Sequence, residues 1–140
     1  MKKFLIACLT VLALTGCGND DDRTATPAPS SPIVGSWKLI TSTNNGIPDT
    51  LNDCEMKSTI TFRDEQKTFT IADYAYLQSV CTSNSFDGTW VKTATDAYTI
   101  TTQAGTQDLI ITVTGNILSL TFNDGTEEHP WYAVTTYTKI

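Results

Sequence analysis

The feature that most constrains the fold is a series of eight short runs rich in threonine, β-branched and aromatic residues, separated by turn signals. In the second run Ile60 and Phe62 alternate with Thr59 and Thr61, which is the period of a strand with one buried face. Helical periodicity is scarce. The predicted strands are 33–42, 57–63, 68–72, 85–92, 97–102, 108–114, 117–122 and 131–139.

The connections between these runs are of hairpin length. Gly115 and Asn116 form a tight turn, because both residue types accept a positive φ. Eight strands joined in this way predict an all-β fold, an eight-stranded up-and-down antiparallel barrel, since closure removes exposed sheet edges. Such a barrel has room for packed side chains or for one small ligand. Between the third and fourth runs lies a longer polar stretch, in which 74–77 is compatible with a helical turn or an extended segment.

Aromatic residues of the predicted strands are the candidate lining of a ligand cavity. Ordinary core packing is the competing interpretation for each of them. Gly88 lies on the same face of its strand as Phe86 and Trp90. It indicates either extra room in a cavity or a bend in the strand. The candidates are Trp37, Phe62, Phe69, Phe86, Trp90, Tyr98, Phe122 and Tyr137.

The amino terminus has the pattern of a secretory signal peptide: Lys2 and Lys3, an apolar run over 4–14, then small residues. The run is too short to span a bilayer. The sequence from Leu14 to Cys17 resembles the lipobox of bacterial lipoproteins, in which a peptidase cuts before the cysteine and its thiol is lipidated. The resemblance implies a signal peptide over 1–16, lipidation at Cys17 and a membrane anchor. A plain signal peptide is the alternative.

Residues 17–32 contain no apolar cluster and include three prolines and three consecutive aspartates. This composition predicts a disordered tether between the lipidated cysteine and a folded domain. The aspartates resemble the export signal of surface lipoproteins in some Gram-negative bacteria, or they belong to an ordinary solvated linker. The remaining residues, 33–140, are enough for one domain with its own core.

Four cysteines are present in the chain. Cys8 leaves with the signal peptide and Cys17 carries the lipid, so that Cys54 and Cys81 remain in an oxidising compartment. This predicts a disulfide between them. A metal or redox pair is the weaker alternative, because the chain has no Cys-x-x-Cys and a single histidine.

The net charge of −6 becomes −8 without Lys2 and Lys3, which argues against a nucleic-acid partner. His129, next to Glu127 and Glu128, is the one candidate for a metal ligand, but adjacent loop residues rarely close a coordination shell. No spacing among the carboxylates selects a catalytic pair. We therefore expect no catalytic residues, no metal, no cofactor and no enzymatic activity.

The motif Gly35-Ser36-Trp37 resembles the Gly-x-Trp opening of lipocalins, in which the tryptophan closes one end of the barrel. The last strand lacks the family's arginine over this tryptophan, and Lys139 is the candidate to replace it. Further matches are a Thr-x-Thr-Phe strand at 59–62 and Gly-Thr-Trp at 88–90, each preceded by a cysteine. In this order the motifs resemble the short lipocalin-like lipoproteins of Gram-negative bacteria, over nearly all of 33–140.

The resemblance implies a lipoprotein of the outer membrane, on its periplasmic or its surface-exposed face. Its expected activity is non-catalytic binding of a small apolar or amphipathic ligand inside the barrel. The alternative is a filled, rigid barrel that acts as a protein- or glycan-interaction module of the cell envelope. The interior volume of the barrel distinguishes the two, because a ligand carrier needs a connected void of hundreds of Å³.

Overall fold

A computed structural model describes residues 30–123, 125 and 131–140. The predicted signal peptide, the lipidation of Cys17, the tether up to residue 29 and the loop around His129 lie outside the described residues. No helix in the described part is long and apolar enough to cross a membrane. The strands are β1 Gly35–Asn44, β2 Ile47–Pro48, β3 Thr59–Arg63, β4 Thr68–Leu77, β5 Val80–Lys92, β6 Ala97–Thr102, β7 Gly105–Thr114, β8 Ile117–Asn123 and β9 Tyr132–Lys139, with a 3-10 turn at Glu55–Lys57.

Eight strands form a closed antiparallel barrel, which confirms the predicted fold class. Each strand from β3 to β9 pairs with its neighbour in sequence, and β1 pairs with both β3 and β9. The two-residue β2 pairs only with the end of β1. A register shift between Leu39 and Thr41 marks a bulge in β1.

The stretch between the third and fourth predicted strands, for which a helical turn or an extended segment was left open, is extended. β4 continues to Leu77 and β5 begins at Val80, so the uncertain segment 74–77 is extended and Cys81 lies within a strand. Gln78 and Ser79 both have positive φ, 51° and 67°, which is the geometry of a two-residue hairpin turn. The composition concealed this hairpin, because both faces of its tip are largely exposed and the sequence therefore shows no clear alternation.

The two ends of the barrel are built differently. At the closed end lie the β3–β4, β5–β6 and β7–β8 turns together with residues 30–34. At the other end, the mouth, lie the β4–β5 and β6–β7 turns, the last residue of β8, the first residue of β9, and the segment from β2 through the 3-10 turn. The buried core fills the closed half and consists of Ile33, Trp37, Leu39, Ile60, Phe62, Phe69, Trp90, Tyr98, Leu109, Ile111, Leu118, Leu120 and Tyr137.

Candidate functional site

The closed end is sealed by the opening motif of the domain. The indole Nε1 of Trp37 donates to the carbonyl oxygen of Ile33 at 2.8 Å. The ammonium of Lys139 lies 5.3 Å from the centroid of the Trp37 ring, so Lys139 occupies the place predicted for it. Gly35 has a φ of +132°, and a Cβ there would lie 3.3 Å from Cε of Lys139. The glycine of the motif therefore permits both the backbone conformation and the approach of the lysine.

An aromatic cluster fills the barrel directly above this seal. Ring centroids are 5.9 Å apart for Phe62 and Phe69, 6.3 Å for Phe62 and Trp90, and 6.0 Å for Trp90 and Tyr98. A Cβ at Gly88 would lie 2.6 Å from the Phe69 ring and 2.4 Å from the carbonyl oxygen of Thr101. Gly88 thus makes room for the Phe69 ring, which leaves none for a ligand at that position.

The predicted lining residues divide into two groups. Phe122 is half-buried against the core, and the Phe86 side chain is 46% exposed at the mouth. The other six are buried in the closed half: Trp37, Phe62, Phe69, Trp90, Tyr98 and Tyr137. Of the predicted residues, Phe86 lines a depression at the mouth, and the buried Trp90 ring lies under a depression at the closed end.

A depression of about 470 Å³ opens at the mouth beside β5. It arises because β6 ends at Thr102, whereas β5 continues past it to Val80 and pairs there with β4. The barrel wall is therefore open between the upper part of β5 and the β6–β7 turn. The lining residues are Ile71, Ser85, Phe86, Asp87, Thr102, Gln103 and Ala104.

Sequence reasoning missed the contribution of the β6–β7 turn to this depression. Thr102, Gln103 and Ala104 carry no chemical signature, and their position depends on where β6 stops relative to β5. Ile71 was detectable, because it alternates with Phe69 and therefore faces the barrel interior.

Apolar side chains continue from the depression onto the tip of the β4–β5 hairpin. Leu77 and Val80 face each other in register and are 66% and 62% exposed. They lie on the same side of the hairpin as Ile71 and Phe86, because the positions are separated by even numbers of residues. The mouth therefore presents apolar surface to solvent, in contrast to the buried aromatics of the closed end.

The opposite face of this hairpin is held by the predicted disulfide. Cys54 and Cys81 are bonded, with Cα atoms 5.6 Å apart, and Cys54 is fully buried. The Tyr76 hydroxyl donates to Oδ1 of Asp53 at 2.9 Å. That hydrogen bond and the charge of Asp53 raise the pKa of Tyr76 above its ordinary value. The disulfide and the hydrogen bond fix the hairpin to the segment before β3.

Two polar contacts brace the rest of the mouth. The Asp49 carboxylate accepts from Oγ of Ser42 at 2.6 Å and from Nδ2 of Asn44 at 2.8 and 2.9 Å. These hydrogen bonds lower the pKa of Asp49. Oγ of Ser58 donates to Oδ1 of Asp73 at 3.2 Å and accepts from the Tyr74 N–H at 2.9 Å.

Tyr137 belongs to the buried core of the closed half, where it pairs with Leu39 and Leu118. Burial raises the pKa of its hydroxyl, and the charge of Asp73 adds to this rise. Burial at this position therefore favours the neutral phenol over the phenolate.

A second depression, of about 640 Å³, lies outside the closed end and is larger. Its one aromatic lining residue is closed to a ligand, because the Trp90 ring is buried and the Lys67 ammonium covers it at 4.7 Å from the centroid, whereas the Phe86 ring at the mouth is half-exposed. The lining residues are Ser30, Ser31, Pro32, Asp64, Lys67, Trp90, Val91 and Lys92. We therefore regard the mouth as the better candidate for an apolar ligand, although it is smaller.

Metal-binding chemistry has no support within the described ranges. No group of three or more His, Cys, Asp or Glu side chains is placed to hold an ion among residues 30–123, 125 and 131–140. The predicted candidate trio around His129 lies outside those ranges.

The family model described as "Lipocalin-like domain" matches residues 33–120. No curated protein matches the sequence. Among solved structures, the bovine lipocalin allergen Bos d 2 is 15% identical, with a TM-score of 0.48 and coverage of 77% of this chain and 73% of that chain. Odorant Binding Protein OBP1 is 14% identical (TM-score 0.49, coverage 81% and 75%), and the deswapped triple mutant of bovine odorant binding protein is 13% identical (TM-score 0.47, coverage 79% and 75%).

Proposed function

Because the chain belongs to the lipocalin-like domain family, we propose that it is a non-catalytic binding protein for a small apolar or amphipathic molecule. The ligand is held at the mouth of the barrel, in the depression between β5 and the β6–β7 turn. The observation that carries this proposal is the half-exposed Phe86 ring inside a depression of about 470 Å³. Burial of that ring and of Ile71 by an apolar ligand supplies the driving force, at roughly 25 cal/mol per Å² before the costs of association.

The position of the site follows from the packing of the barrel. The closed half is occupied by its own aromatic side chains, so a ligand enters only the mouth half. Ser85, Asp87, Thr102 and Gln103 surround the apolar surface with polar groups. An amphipathic molecule fits this arrangement, with its apolar part on Phe86 and its polar part towards the rim.

Binding is tested with N-phenyl-1-naphthylamine, a neutral apolar dye that fluoresces when it leaves water. Phe86→Ala is expected to weaken binding roughly tenfold, and Ala104→Trp is expected to abolish it by filling the depression. Ile110→Ala is the matched control, because Ile110 is also 46% exposed but lies on β7 with its side chain outward. Equal effects of Phe86→Ala and Ile110→Ala would refute a site at the mouth.

We further propose that the protein is anchored to the outer membrane through a lipid on Cys17, as the lipobox resemblance implies. Residues 30–32 adjoin the closed end, where Oγ of Ser31 lies 3.4 Å from the Tyr98 hydroxyl. An anchor at Cys17 thus connects to the end opposite the mouth. Cys17→Ser should release the protein from membranes, and unchanged membrane fractionation would contradict the anchor.

A second candidate function is an interaction module of the cell envelope. The observation that favours it is the filled closed half, together with the exposed apolar tip formed by Leu77 and Val80. In that case Ala104→Trp leaves activity towards the partner intact, whereas Leu77→Ser with Val80→Ser removes it. The dye experiment separates the two candidates, since a pure interaction module has no saturable dye site.

A further inference from the structure

One acidic side chain faces the interior of the barrel at the mouth. Asp73 is separated from the inward-facing Phe69 and Ile71 by even numbers of residues, so it lies on the same face of β4. Oδ1 of Asp73 accepts from Oγ of Ser58, a buried residue. Burial and then the charge of Asp73 raise the pKa of the Tyr137 hydroxyl in the core. These contacts place the Asp73 carboxylate inside the barrel wall.

No described basic side chain balances this charge. The lysines that share the inward phase of their strands, Lys92 and Lys139, lie at the closed end over the rings of Tyr98 and Trp37. Within the described ranges, no lysine or arginine forms an ion pair with Asp73. A carboxylate accepts several hydrogen bonds. Because Asp73 is exposed, a bound molecule can reach the acceptor sites that the protein leaves unused.

Asp73 lies next to the proposed apolar site. Ile71 and Phe86 form a cross-strand pair that lines the depression, and the next inward pair towards the hairpin tip is Asp73 and Asn84. Successive inward positions of a strand are about 7 Å apart. A molecule whose apolar chain lies on Ile71 and Phe86 therefore places its head group beside Asp73.

A second carboxylate borders the depression, but a cation already lies near it. Asp87 is on the outward face of β5, where its Oδ1 accepts from the Thr70 hydroxyl at 2.6 Å. Nη1 of Arg63 donates to the same hydroxyl at 3.0 Å, so the guanidinium lies close to Asp87. The inward-facing Asp73 is therefore the carboxylate that determines which head group the mouth accepts.

We propose that Asp73 selects a cationic amphipathic ligand, with an ammonium group on an apolar chain. The ammonium donates to the Asp73 carboxylate, and the chain covers Ile71 and Phe86. A hydrogen bond between two charged groups is stronger than one to a neutral hydroxyl, whereas an anionic head group is repelled. This inference rests on the proposed function, because it names the head group of the ligand at the mouth.

The test is displacement of N-phenyl-1-naphthylamine by decylamine, decanol and decanoate, which share one chain length and differ in the charge of the head group. Decylamine is expected to bind roughly tenfold more tightly than decanol, and decanoate more weakly than either. Asp73→Asn should reduce the affinity for decylamine to that for decanol. Asp73→Lys should reverse the order, so that decanoate binds best. Phe86→Ala should weaken the binding of all three.

Asp108→Asn is the matched control for net charge. Asp108 is also exposed and also accepts from a side-chain hydroxyl, that of Thr99, but it lies on the outward face of β7. Its replacement removes the same unit of charge and should leave the preference for decylamine unchanged. Equal loss of the preference in Asp73→Asn and Asp108→Asn would overturn the inference, because net charge would then be its cause.

The outcomes separate this inference from the proposed function. A preference for decylamine that is lost in Asp73→Asn and reversed in Asp73→Lys supports selection by Asp73. Dye that binds and is displaced equally by all three molecules, or by none of them, would overturn the selection and leave the apolar site intact. Failure of the dye and of all three molecules to bind would overturn both.

Discussion

The closed half and the mouth half of this barrel use the same strands for different purposes. In the closed half, Phe62, Phe69, Trp90 and Tyr98 interlock with centroid distances near 6 Å and exclude solvent. In the mouth half, Leu77, Val80 and Phe86 are exposed on strands that extend beyond their neighbours. The packing that stabilises the barrel is therefore concentrated in the closed half, and the apolar surface that is available for binding lies in the mouth half.

The difference originates in unequal strand lengths. β4 and β5 comprise 10 and 13 residues, whereas β3 and β6 comprise 5 and 6. Where all strands overlap, each inward side chain meets others and packs. Where only β4 and β5 continue, their inward face lacks opposing walls. The disulfide and the contacts of Asp53 and Ser58 then hold the protruding hairpin in place.

The largest expected effect is a difference in the loss of stability between a substitution in the closed half and one in the mouth half. Trp90→Ala should lower the free energy of unfolding by about 3–5 kcal/mol, because it leaves a cavity in the packed cluster. Phe86→Ala should cost less than about 1 kcal/mol, since half of that side chain is already in water. Urea denaturation followed by circular dichroism measures both. Similar losses in the two variants would show that the halves do not differ in packing.

Removal of the disulfide tests whether the Cys54–Cys81 bond holds the β4–β5 hairpin in place at the mouth. Replacing Cys54 and Cys81 together by serine should lower the free energy of unfolding by about 3–4 kcal/mol in the chain-entropy model, for a separation of 27 residues. Hydrogen exchange should rise more in 74–83 than at 60–62, because only the hairpin depends directly on the bond. A uniform rise along the chain would contradict this localisation.

Gly88→Ala tests the tightness of the closed half at its border with the mouth. The added Cβ meets the Thr101 carbonyl and the Phe69 ring, so a loss of about 1–3 kcal/mol is expected. Thr89→Ala is the neighbouring control, since this side chain is exposed and should change stability by less than about 0.5 kcal/mol. If Gly88→Ala is neutral, the closed packing ends before this residue.

Lys139→Met tests the seal on Trp37. The substitution keeps an apolar stem but removes the cation over the ring, so a loss of about 0.5–1 kcal/mol is expected. Lys139→Arg should retain the stability, because guanidinium also stacks on indole. Equal destabilisation by methionine and arginine would indicate that shape, rather than charge, is what the seal requires.

Tyr137→Phe has the smallest expected effect at neutral pH and acts mainly at alkaline pH. The pKa of Tyr137 is raised by burial, so its stabilising contribution is complete below the ordinary tyrosine value of about 10 and is lost as pH rises through the raised pKa. The variant should therefore lose less stability than the wild type as the pH rises above about 10. Thermal unfolding at a series of alkaline pH values measures the difference, and parallel curves would contradict it.

Several parts of the fold were predictable because they depend on local chemistry. The strand at 97–102 was predicted with its observed bounds, and the other strands were located within a few residues at their ends apart from the β4–β5 hairpin and the start of β7. The Cys54–Cys81 pair and the position of Lys139 over Trp37 also followed from sequence and family resemblance. The long β4–β5 hairpin was missed, because its polar, exposed residues gave no alternation to detect.

The sequence by itself determined the all-β barrel, its turns, its disulfide and the aromatic residues of its interior, since alternation and turn chemistry act over a few residues. Tertiary structure alone decided which aromatic side chains are buried in the core and which are exposed at the mouth. Phe69 is buried because Gly88 lies opposite it, whereas Phe86 is exposed because β6 ends before reaching it. Strand register and relative length set these neighbours, and both arise from pairings between residues distant in the chain.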